Sequence, residues 1–305
     1  MKFSIYQESR QGPRKANQDR VAYCYSRDAL CMIVADGMGG HLHGEVAAQI
    51  ATQFVSEAFQ REAQPRLADP VKFLLESITN AHHAIIDYAN VRSLLETPRT
   101  TCVACVVQEG LAQWAHVGDS RLYLIRSGRI EAQTKDHSRV QILVDAGRVR
   151  EEAVAAHPDR NKIFNCLGQM GPPRVDLSRR TALRHGDAIM LCTDGMWGPL
   201  TGKQICEALL RQDILTAVPA LLDMAEARAG RDGDNASVVA MMWAEEEETA
   251  EADWISTISM DPTDIKTTVE QFGKSAPPVP VGYLTDEEIE RAIEEIRNAI
   301  KKHSK

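Results

Sequence analysis

The sequence predicts an α+β fold in which antiparallel β-sheets are covered by pairs of helices. Short apolar runs joined by tight turns predict antiparallel strands, as in the hairpin signal Ser127-Gly128 between two strand-like runs. Two pairs of longer segments instead carry apolar residues at helical spacing. Because an amphipathic helix must bury its apolar face, we expect each pair to cover one sheet.

The predicted elements follow one another with little interruption. Segments with apolar runs or alternating residues are assigned to strands, and segments with apolar residues three and four apart are assigned to helices. The predicted order is strands within 1–36, helices at 44–62 and about 70–95, strands within 101–134, helices at about 202–211 and 213–229, and a strand at 237–242.

The composition is that of one large domain with an appendage. The chain has 305 residues, of which 44% are hydrophobic, enough for a sizeable core. The N-terminal residues lack the apolar core of a signal peptide, and no run approaches the roughly 18 to 20 apolar residues of a membrane span. We therefore expect a cytoplasmic protein with no membrane segment.

The seven cysteines are spread singly along the chain, which is typical of reduced thiols. Cys102 and Cys105 have the spacing of a zinc or redox pair. Residues three apart in a strand point to opposite faces, however, and no second pair follows. We expect both to be core residues.

The negative charge is concentrated near the C-terminus. Of the net charge of -8, residues 246–305 contribute 14 acidic and 7 basic side chains, which leaves 29 acidic and 28 basic side chains in residues 1–245. A nearly neutral body without a basic stripe predicts no nucleic-acid partner.

Aspartates stand at turn-like positions along the whole body of the chain. Two of them, Asp36 and Asp194, follow apolar strand-like runs and precede a glycine. One Asp-Gly pair is usually only a turn. Several such aspartates, brought together by the fold, would form an oxygen cage for hard divalent cations, which serves phosphate chemistry. The candidates are Asp19, Asp36, Asp119, Asp194 and Asp234.

Seven short motifs follow one another along residues 1 to about 244. They are Arg14-x-x-Asn17-Gln18-Asp19, Asp36-Gly37-Met38-Gly39-Gly40-His41, Thr100-Thr101, Val117-Gly118-Asp119-Ser120-Arg121, Asp136-His137-Ser138, Thr193-Asp194-Gly195 and Asp234-Asn235. Their order resembles that of the metal-dependent type 2C serine/threonine phosphatases in their bacterial form. The strength of the resemblance lies in the number of motifs in the same order.

The resemblance implies a central antiparallel β-sandwich with a pair of helices on each outer face. Residues 1–245 would form the catalytic domain, with the metal site at one end, between the sheets. The less regular residues 139–175 correspond to a mobile flap in the family, which would either help to select substrates or serve as a connector.

The family pattern also implies a metal ligand set. Asp36 would bridge two ions, with the Gly37 carbonyl as a backbone ligand, and Asp194 and Asp234 would complete the first site. Asp19 would serve the second ion, partly through water. An all-oxygen set favours Mn²⁺ or Mg²⁺ over zinc.

A third, weaker ion is implied between Asp119 and Asp194. Gln18 stands where many eukaryotic relatives carry glutamate, which removes one negative charge near the second ion. We expect that ion to bind less tightly for this reason.

Two further residues have implied roles in catalysis. The guanidinium of Arg14 would hold two phosphate oxygens, which a lysine cannot do as well; the alternative is a solvated loop arginine. Eukaryotic relatives place a histidine, the proposed acid for the leaving group, where this chain has Met38. His41 or His43 could supply this proton, and a metal-bound water is the alternative. Of the two histidines, His41 is taken as the candidate acid.

The resemblance implies hydrolysis of phosphoserine and phosphothreonine in proteins, by in-line attack of a water or hydroxide that bridges the two ions. The expected partners are phosphorylated proteins and a bacterial kinase of the eukaryotic-like serine/threonine type, and the layout faintly resembles phosphatases associated with type VI secretion. The alternatives are a pseudophosphatase that only binds phosphoproteins, and a phosphatase acting on anti-sigma-factor antagonists.

The C-terminal residues predict an appendage. Residues 246–282 have the composition of an acidic and proline-rich linker. Residues 283–305 predict an amphipathic helix, which begins with the capping box formed by Thr285 and Glu288. Since a lone helix cannot bury its apolar stripe, we expect this helix to dock on its own domain or on a partner.

Overall fold

Two antiparallel sheets face each other in the structure, a computed structural model, and helices cover the outer face of each sheet. The predicted α+β sandwich with paired helices is confirmed. The residues that the structure describes are 1–38, 43–150, 153–154, 157–244 and 254–269. His41 and the predicted helix 283–305 lie outside these ranges.

The first sheet has six strands, which pair in the order β12-β1-β11-β10-β6-β7. Its hairpin turn at Ser127 and Gly128 is confirmed, with φ values of 49° and 71°, as a tight turn with two left-handed residues requires. The strands of this sheet are β1 (Lys2–Arg10), β6 (Arg121–Arg126), β7 (Arg129–Gln133), β10 (Ala188–Cys192), β11 (Ala236–Ala244) and β12 (Ile255–Ser256).

The second sheet pairs in the order β13-β2-β3-β4-β5-β8, and β9 also pairs with β5. Its central strands are buried on both faces, which is why they appear in the sequence as continuous apolar runs. The strands are β2 (Asp19–Tyr25), β3 (Ala29–Asp36), β4 (Cys102–Gln108), β5 (Leu111–Val117), β8 (Asp176–Leu177), β9 (Thr181–Ala182) and β13 (Lys266–Val269).

Four of the described helices, α2, α3, α5 and α6, begin where a side chain caps the first turn. Asp69 accepts hydrogen bonds from two backbone N–H groups at the start of α2, and Thr201 and Gln204 form a capping box at the start of α5. No helix among the described residues is long and apolar enough to cross a membrane. The helices are α1 (Gly44–Glu62), α2 (Pro70–Val91), α3 (Arg139–Asp145), α4 (Asp194–Trp197), α5 (Gly202–Arg211) and α6 (Ile214–Ala229).

The core has three layers, set by the alternation of side chains along the strands. In β3, Ile33 packs against α1 and α2, whereas Met32 packs between the sheets. A third cluster fills the space between the first sheet and the helices α4 to α6. Cys102 and Cys105 lie in different layers as buried free thiols, as the spacing predicted.

Residues 254–269, which we call the strap, join the two sheets at one edge. The strand β12 pairs with β1 of the first sheet, and β13 pairs with β2 of the second. Between these strands the fully buried Thr257 donates its backbone N–H to the Met1 carbonyl over 3.0 Å. Its hydroxyl donates to the Arg27 carbonyl over 2.6 Å. The strap therefore closes one edge of both sheets.

The strap lies within residues 246–282, which the sequence predicts to be a linker. The residues of this linker that the structure describes, 254–269, contribute a strand to each sheet. The strand β13 runs antiparallel to β2, with Val269 opposite Ala22. The strap therefore runs towards the start of β2, where Asp19 lies, and its last described residue is Val269. The division of the chain at residues 245 and 282 stays a prediction.

Replacing Thr257 by valine should lower the free energy of unfolding by about 1 to 3 kcal/mol, because the Arg27 carbonyl loses a buried donor. The matched control is Thr268→Val, at an exposed position of β13, for which we expect a change within about 0.5 kcal/mol. Urea unfolding of the full chain measures both changes. Equal effects of the two substitutions would contradict the role of the Thr257 hydroxyl.

Candidate metal centre

The five aspartates meet at one end of the sandwich because the strands that carry them end there. Asp19 begins β2 and lies opposite Asp36, the last residue of β3. Asp194 follows β10 as the first residue of α4, and Asp234 precedes the neighbouring strand β11. Asp119 occupies the turn between β5 and β6.

Neighbouring hydroxyl groups orient the two paired aspartates. The buried Thr193 donates its hydroxyl to Oδ2 of Asp19 over 2.8 Å, which joins the two sheets at this end. The hydroxyl of Thr101 accepts the backbone N–H of Asp36 over 3.0 Å, and that of Thr100 donates to the Asp36 carbonyl over 2.8 Å. The strand ends are therefore held in place by protein groups alone.

Gly37 is required where β3 approaches the start of α1. A Cβ atom at this position would lie 2.5 Å from the backbone of Gly44 and 2.7 Å from the carbonyl oxygen of Gln18. No side chain fits between these backbone atoms. The glycine of the Asp36-Gly37 pair is therefore required by close packing, whether or not its carbonyl is also a metal ligand.

The carboxylates are crowded into a site that disfavours their charges. Burial raises the pKa of Asp19 to about 7, and repulsion from Asp194 and Asp234 acts in the same direction. Burial, followed by repulsion from Asp234, raises the pKa of Asp194 to about 6. Burial and the neighbouring carboxylates raise the pKa values of Asp36 and Asp119 well above the ordinary range.

This arrangement fits divalent cations. Oxygen donors are the ligands that Mg²⁺ and Mn²⁺ prefer. Bound cations would neutralise the repulsion that raises the four pKa values, and their binding would release protons. A set of buried carboxylates with few cationic side chains among them is costly unless metal ions bind there.

Arg14 lies on the loop between β1 and β2, at the rim of this site. Its Nη2 donates to Oδ2 of Asp234 over 2.6 Å, and its Nε donates to the Gly233 carbonyl over 3.2 Å. About half of the side chain, 49%, is exposed. Arg14 thus lies beside the aspartates, and its outer surface is accessible to a ligand.

Asn235 closes the loop that carries Arg14. Its Oδ1 accepts the backbone N–H of Gln18 over 2.9 Å, and its Nδ2 donates to the carbonyls of Gln11 and Ala16 over 2.8 and 3.0 Å. The Asp234-Asn235 pair therefore combines a candidate metal ligand with a support for the candidate phosphate clamp.

The side chain of Gln18 has a local reason to be neutral. Its Nε2 donates to Oε2 of Glu45 over 3.0 Å, and Glu45 is buried at the start of α1. A glutamate at position 18 would place two carboxylates in contact there. His43 lies beside Glu45, with 3.9 Å between Nδ1 and Oε1.

Several residues of this site were not predicted from the sequence. Thr193 belongs to a recognised motif, but its contact with Asp19 spans 174 residues. Glu45 and Trp197 resemble ordinary helix residues in the sequence. The indole N–H of Trp197 donates to the Asp119 carbonyl over 3.1 Å. Only the tertiary fold reveals these contacts.

Comparison with known families and proteins finds relatives that cover most of the chain. The family model for protein phosphatase 2C matches residues 7–229. The chain is 32% identical over 219 residues to protein phosphatase PhpP of Streptococcus pneumoniae, covering 70% of this chain and 84% of that protein. It is 33% identical over 232 residues to serine/threonine protein phosphatase PstP of Mycobacterium tuberculosis, covering 76% of this chain and 43% of PstP.

Solved structures share the fold. The serine/threonine phosphatase Stp1 of Staphylococcus aureus is 28% identical, with a TM-score of 0.73 over 79% of this chain and 95% of that chain. The catalytic domain of PstP in complex with two manganese ions is 30% identical, with a TM-score of 0.68 over 80% of this chain and 99% of that chain. PppA, a type VI secretion component of Pseudomonas aeruginosa, is 23% identical with a TM-score of 0.64, which shows the fold alone.

The chain belongs to the protein phosphatase 2C family. This confirms the prediction, from the order of motifs, of a bacterial serine/threonine phosphatase of the metal-dependent type. The identity and number of the metal ions and the roles of individual residues stay predictions at this point.

The burial of Asp19, together with repulsion from Asp194 and Asp234, predicts a pH-dependent stability of the metal-free protein. The pKa of Asp19 is about 7 in the folded state, above its ordinary value of 3.8, so that the folded state binds more protons than the unfolded chain between these values. The free energy of unfolding should therefore decrease as pH rises from about 4 to about 7. In EDTA, Asp19→Asn should stabilise the protein by about 1 to 3 kcal/mol at pH 8 and by much less at pH 4.

The matched control for this measurement is Asp87→Asn, an exposed position on α2, which should change stability little at either pH. Thermal unfolding at both pH values, with chelator present, checks the prediction. A stabilisation by Asp19→Asn that does not change with pH would show that ionisation of the buried Asp19 carboxyl is not its cause.

Proposed function

We propose that the five aspartates hold Mn²⁺ or Mg²⁺ and that the site hydrolyses phosphoserine and phosphothreonine in proteins. The observation that carries this proposal is the convergence of five acidic side chains at one end of the sandwich. Four of them have raised pKa values, and the fifth, Asp234, pairs with the half-exposed Arg14. The manganese complex of PstP, a relative at 30% identity, supports the choice of metal.

The chain's own residues would divide the work of metal binding. Asp36 would bridge two ions with help from the Gly37 carbonyl, Asp194 and Asp234 would complete one site, and Asp19 would serve the other. The central position of Asp36 is supported by its repulsion from Asp19, Asp194, Asp119 and Asp234. Asp119, which repels Asp194, would complete a weaker third site.

When bound, the ions supply an activated water and positive charge for the phosphate oxygens. The protein supplies the alignment. Arg14 would hold two phosphate oxygens through its planar pair of donors, on a loop closed by Asn235. Its present hydrogen bond to Asp234 sets the guanidinium beside the candidate ligands. His41, outside the described residues, stays the candidate acid for the leaving group.

Phosphorylated proteins are the substrates that this activity requires. A kinase of the eukaryotic-like serine/threonine type would supply them, since each phosphatase needs a source of its phosphoesters. The type VI secretion association and the cytoplasmic location stay predictions from the sequence, as does the docking of the C-terminal helix.

Hydrolysis of a phosphothreonine peptide by the full chain should require Mn²⁺ or Mg²⁺ and should stop in EDTA. Asp194→Asn should lower kcat at least about a hundredfold, because it removes a charge from both of the sites that Asp194 would serve. Normal metal-dependent turnover by this variant would show that the assigned cage is wrong. Metal binding without turnover by the wild-type chain would favour a pseudophosphatase.

Arg14→Ala should raise KM for the peptide about tenfold or more and leave Mn²⁺ binding intact, since a guanidinium contributes mainly to phosphate affinity. Arg14→Lys keeps the charge but not the paired donors, and we expect an intermediate KM. Steady-state kinetics with calorimetry of Mn²⁺ binding separates the two effects. Loss of Mn²⁺ binding in Arg14→Ala would contradict the clamp role.

A further inference from the structure

The turn that carries Asp119 is held from two sides by buried side chains. On one side, Nε1 of Trp197 donates to the Asp119 carbonyl over 3.1 Å. On the other, the Gly118 N–H donates to Nδ1 of His137 over 3.1 Å, and the His137 N–H donates to the Gly118 carbonyl over 2.9 Å. Asp119, Trp197 and His137 are all buried.

The turn itself leaves little room for adjustment. Gly118 has a φ of 104°, and a Cβ atom there would lie 2.6 Å from the side chain of Thr101. The hydroxyl of Thr101 also lies 2.7 Å from that of Ser120, on the other side of Asp119. The position of the Asp119 carboxylate therefore follows from the groups that hold the turn.

Trp197 connects this turn to Asp194. Both residues belong to the four-residue helix α4, which Asp194 begins and Trp197 ends. The Arg121 guanidinium lies 3.5 Å from the indole ring centroid. It also forms a paired ion bridge with Asp136 through bonds of 2.9 and 2.7 Å. The indole is thus fixed in place, and it sets Asp119 relative to Asp194.

His137 connects the same turn to the segment 139–175. Its carbonyl accepts the Phe164 N–H over 2.9 Å, and the Asn165 amide lies 2.7 Å from its Nδ1. Asn165 in turn holds the backbone of Arg174 at the other end of the segment, through bonds of 2.7 and 3.0 Å. The segment is therefore attached to the Asp119 turn through the imidazole and the backbone of His137.

His137 also belongs to a cluster with His116 and Asp176 whose ligand atoms lie within 4.8 Å of one another. The hydrogen bonds argue against a metal there. Because Nδ1 of His137 accepts the Gly118 N–H, the ring proton is on Nε2, 3.3 Å from the Asp176 carboxylate. A metal at Nε2 would require the anionic imidazolate, because Nδ1 already accepts a hydrogen bond and cannot carry the proton, and a metal at Nδ1 would displace the Gly118 N–H.

We infer that Trp197 and His137 are positioning residues, which hold the turn of Asp119 beside the helix that begins at Asp194, so that the two aspartates can share a divalent cation. The inference rests on the proposed function, in which these two aspartates share a cation. The indole N–H acts from the helix of Asp194, and the imidazole acts from the base of the segment 139–175. Both side chains would act through the backbone of the Asp119 turn.

The test is a double-substitution cycle on the full chain with Mn²⁺ alone as the probe. Trp197→Phe keeps an aromatic ring near Arg121, removes the N–H donor and also reduces the volume of the buried side chain, which is why a matched Trp→Phe control is needed. Calorimetric Mn²⁺ titration should show that Asp119→Asn removes one weak binding event. Trp197→Phe should weaken the same event about two- to tenfold, the worth of one hydrogen bond. In the Asp119→Asn background, Trp197→Phe should have no further effect on Mn²⁺ binding.

The control is Trp243→Phe, the same substitution at a buried position near the far end of β11. It should lower the melting temperature without changing any Mn²⁺ event. Wild-type Mn²⁺ affinity in Trp197→Phe would overturn the inference for the indole. An equal loss with and without Asp119 would also overturn it, since the effect would then be structural.

If Asp119→Asn leaves every Mn²⁺ binding event unchanged, Asp119 is not a metal ligand, and the inference that Trp197 and His137 position it fails. Metal-dependent hydrolysis by the wild-type chain would still support the proposed function.

His137 provides an independent test. His137→Ala should weaken the event that depends on Asp119, and His137→Asn should restore most of it, because Oδ1 of asparagine can accept the Gly118 N–H. Equal losses in the two variants would overturn the role of the imidazole.

Discussion

Repulsion among carboxylates at one end of the sandwich is the constraint on which the rest of the structure depends. Burial and mutual repulsion raise the pKa values of Asp19, Asp36, Asp119 and Asp194 together. Such a site destabilises the folded chain unless cations occupy it. The rest of the domain must therefore supply enough stability to hold it, and the three-layered core does so.

The aspartates are held mainly by neutral hydrogen-bonding groups. Thr193 orients Asp19, Thr101 holds the end of β3, and the Trp197 indole holds the Asp119 turn. Neutral donors fix positions without cancelling the negative charge that attracts metal ions. Arg14 is different, because its exposed guanidinium pairs with Asp234 at the rim, where a phosphate would arrive.

The sequence was most informative where one local pattern determines the outcome. Helical spacing predicted α1 at its observed bounds, and the two Asp-Gly pairs after apolar runs predicted aspartates at strand ends. Family resemblance supplied the grouping of the five aspartates, which spacing alone cannot provide. The contacts of Asn235 and Trp197 could not be predicted, since each joins segments far apart in the chain. The strap lacked a strong apolar pattern because its strands pair at exposed edges.

The direction of the strap has a consequence for everything that follows it in the chain. Val269 lies opposite Ala22, roughly 10 Å along β2 from Asp19. The strap therefore ends close to the catalytic end. A recognition element attached after residue 269 would act at an effective concentration in about the millimolar range, whatever its intrinsic affinity. Even weak binding by such an element would then be enough to compete with, or to recruit, a substrate at the metal centre.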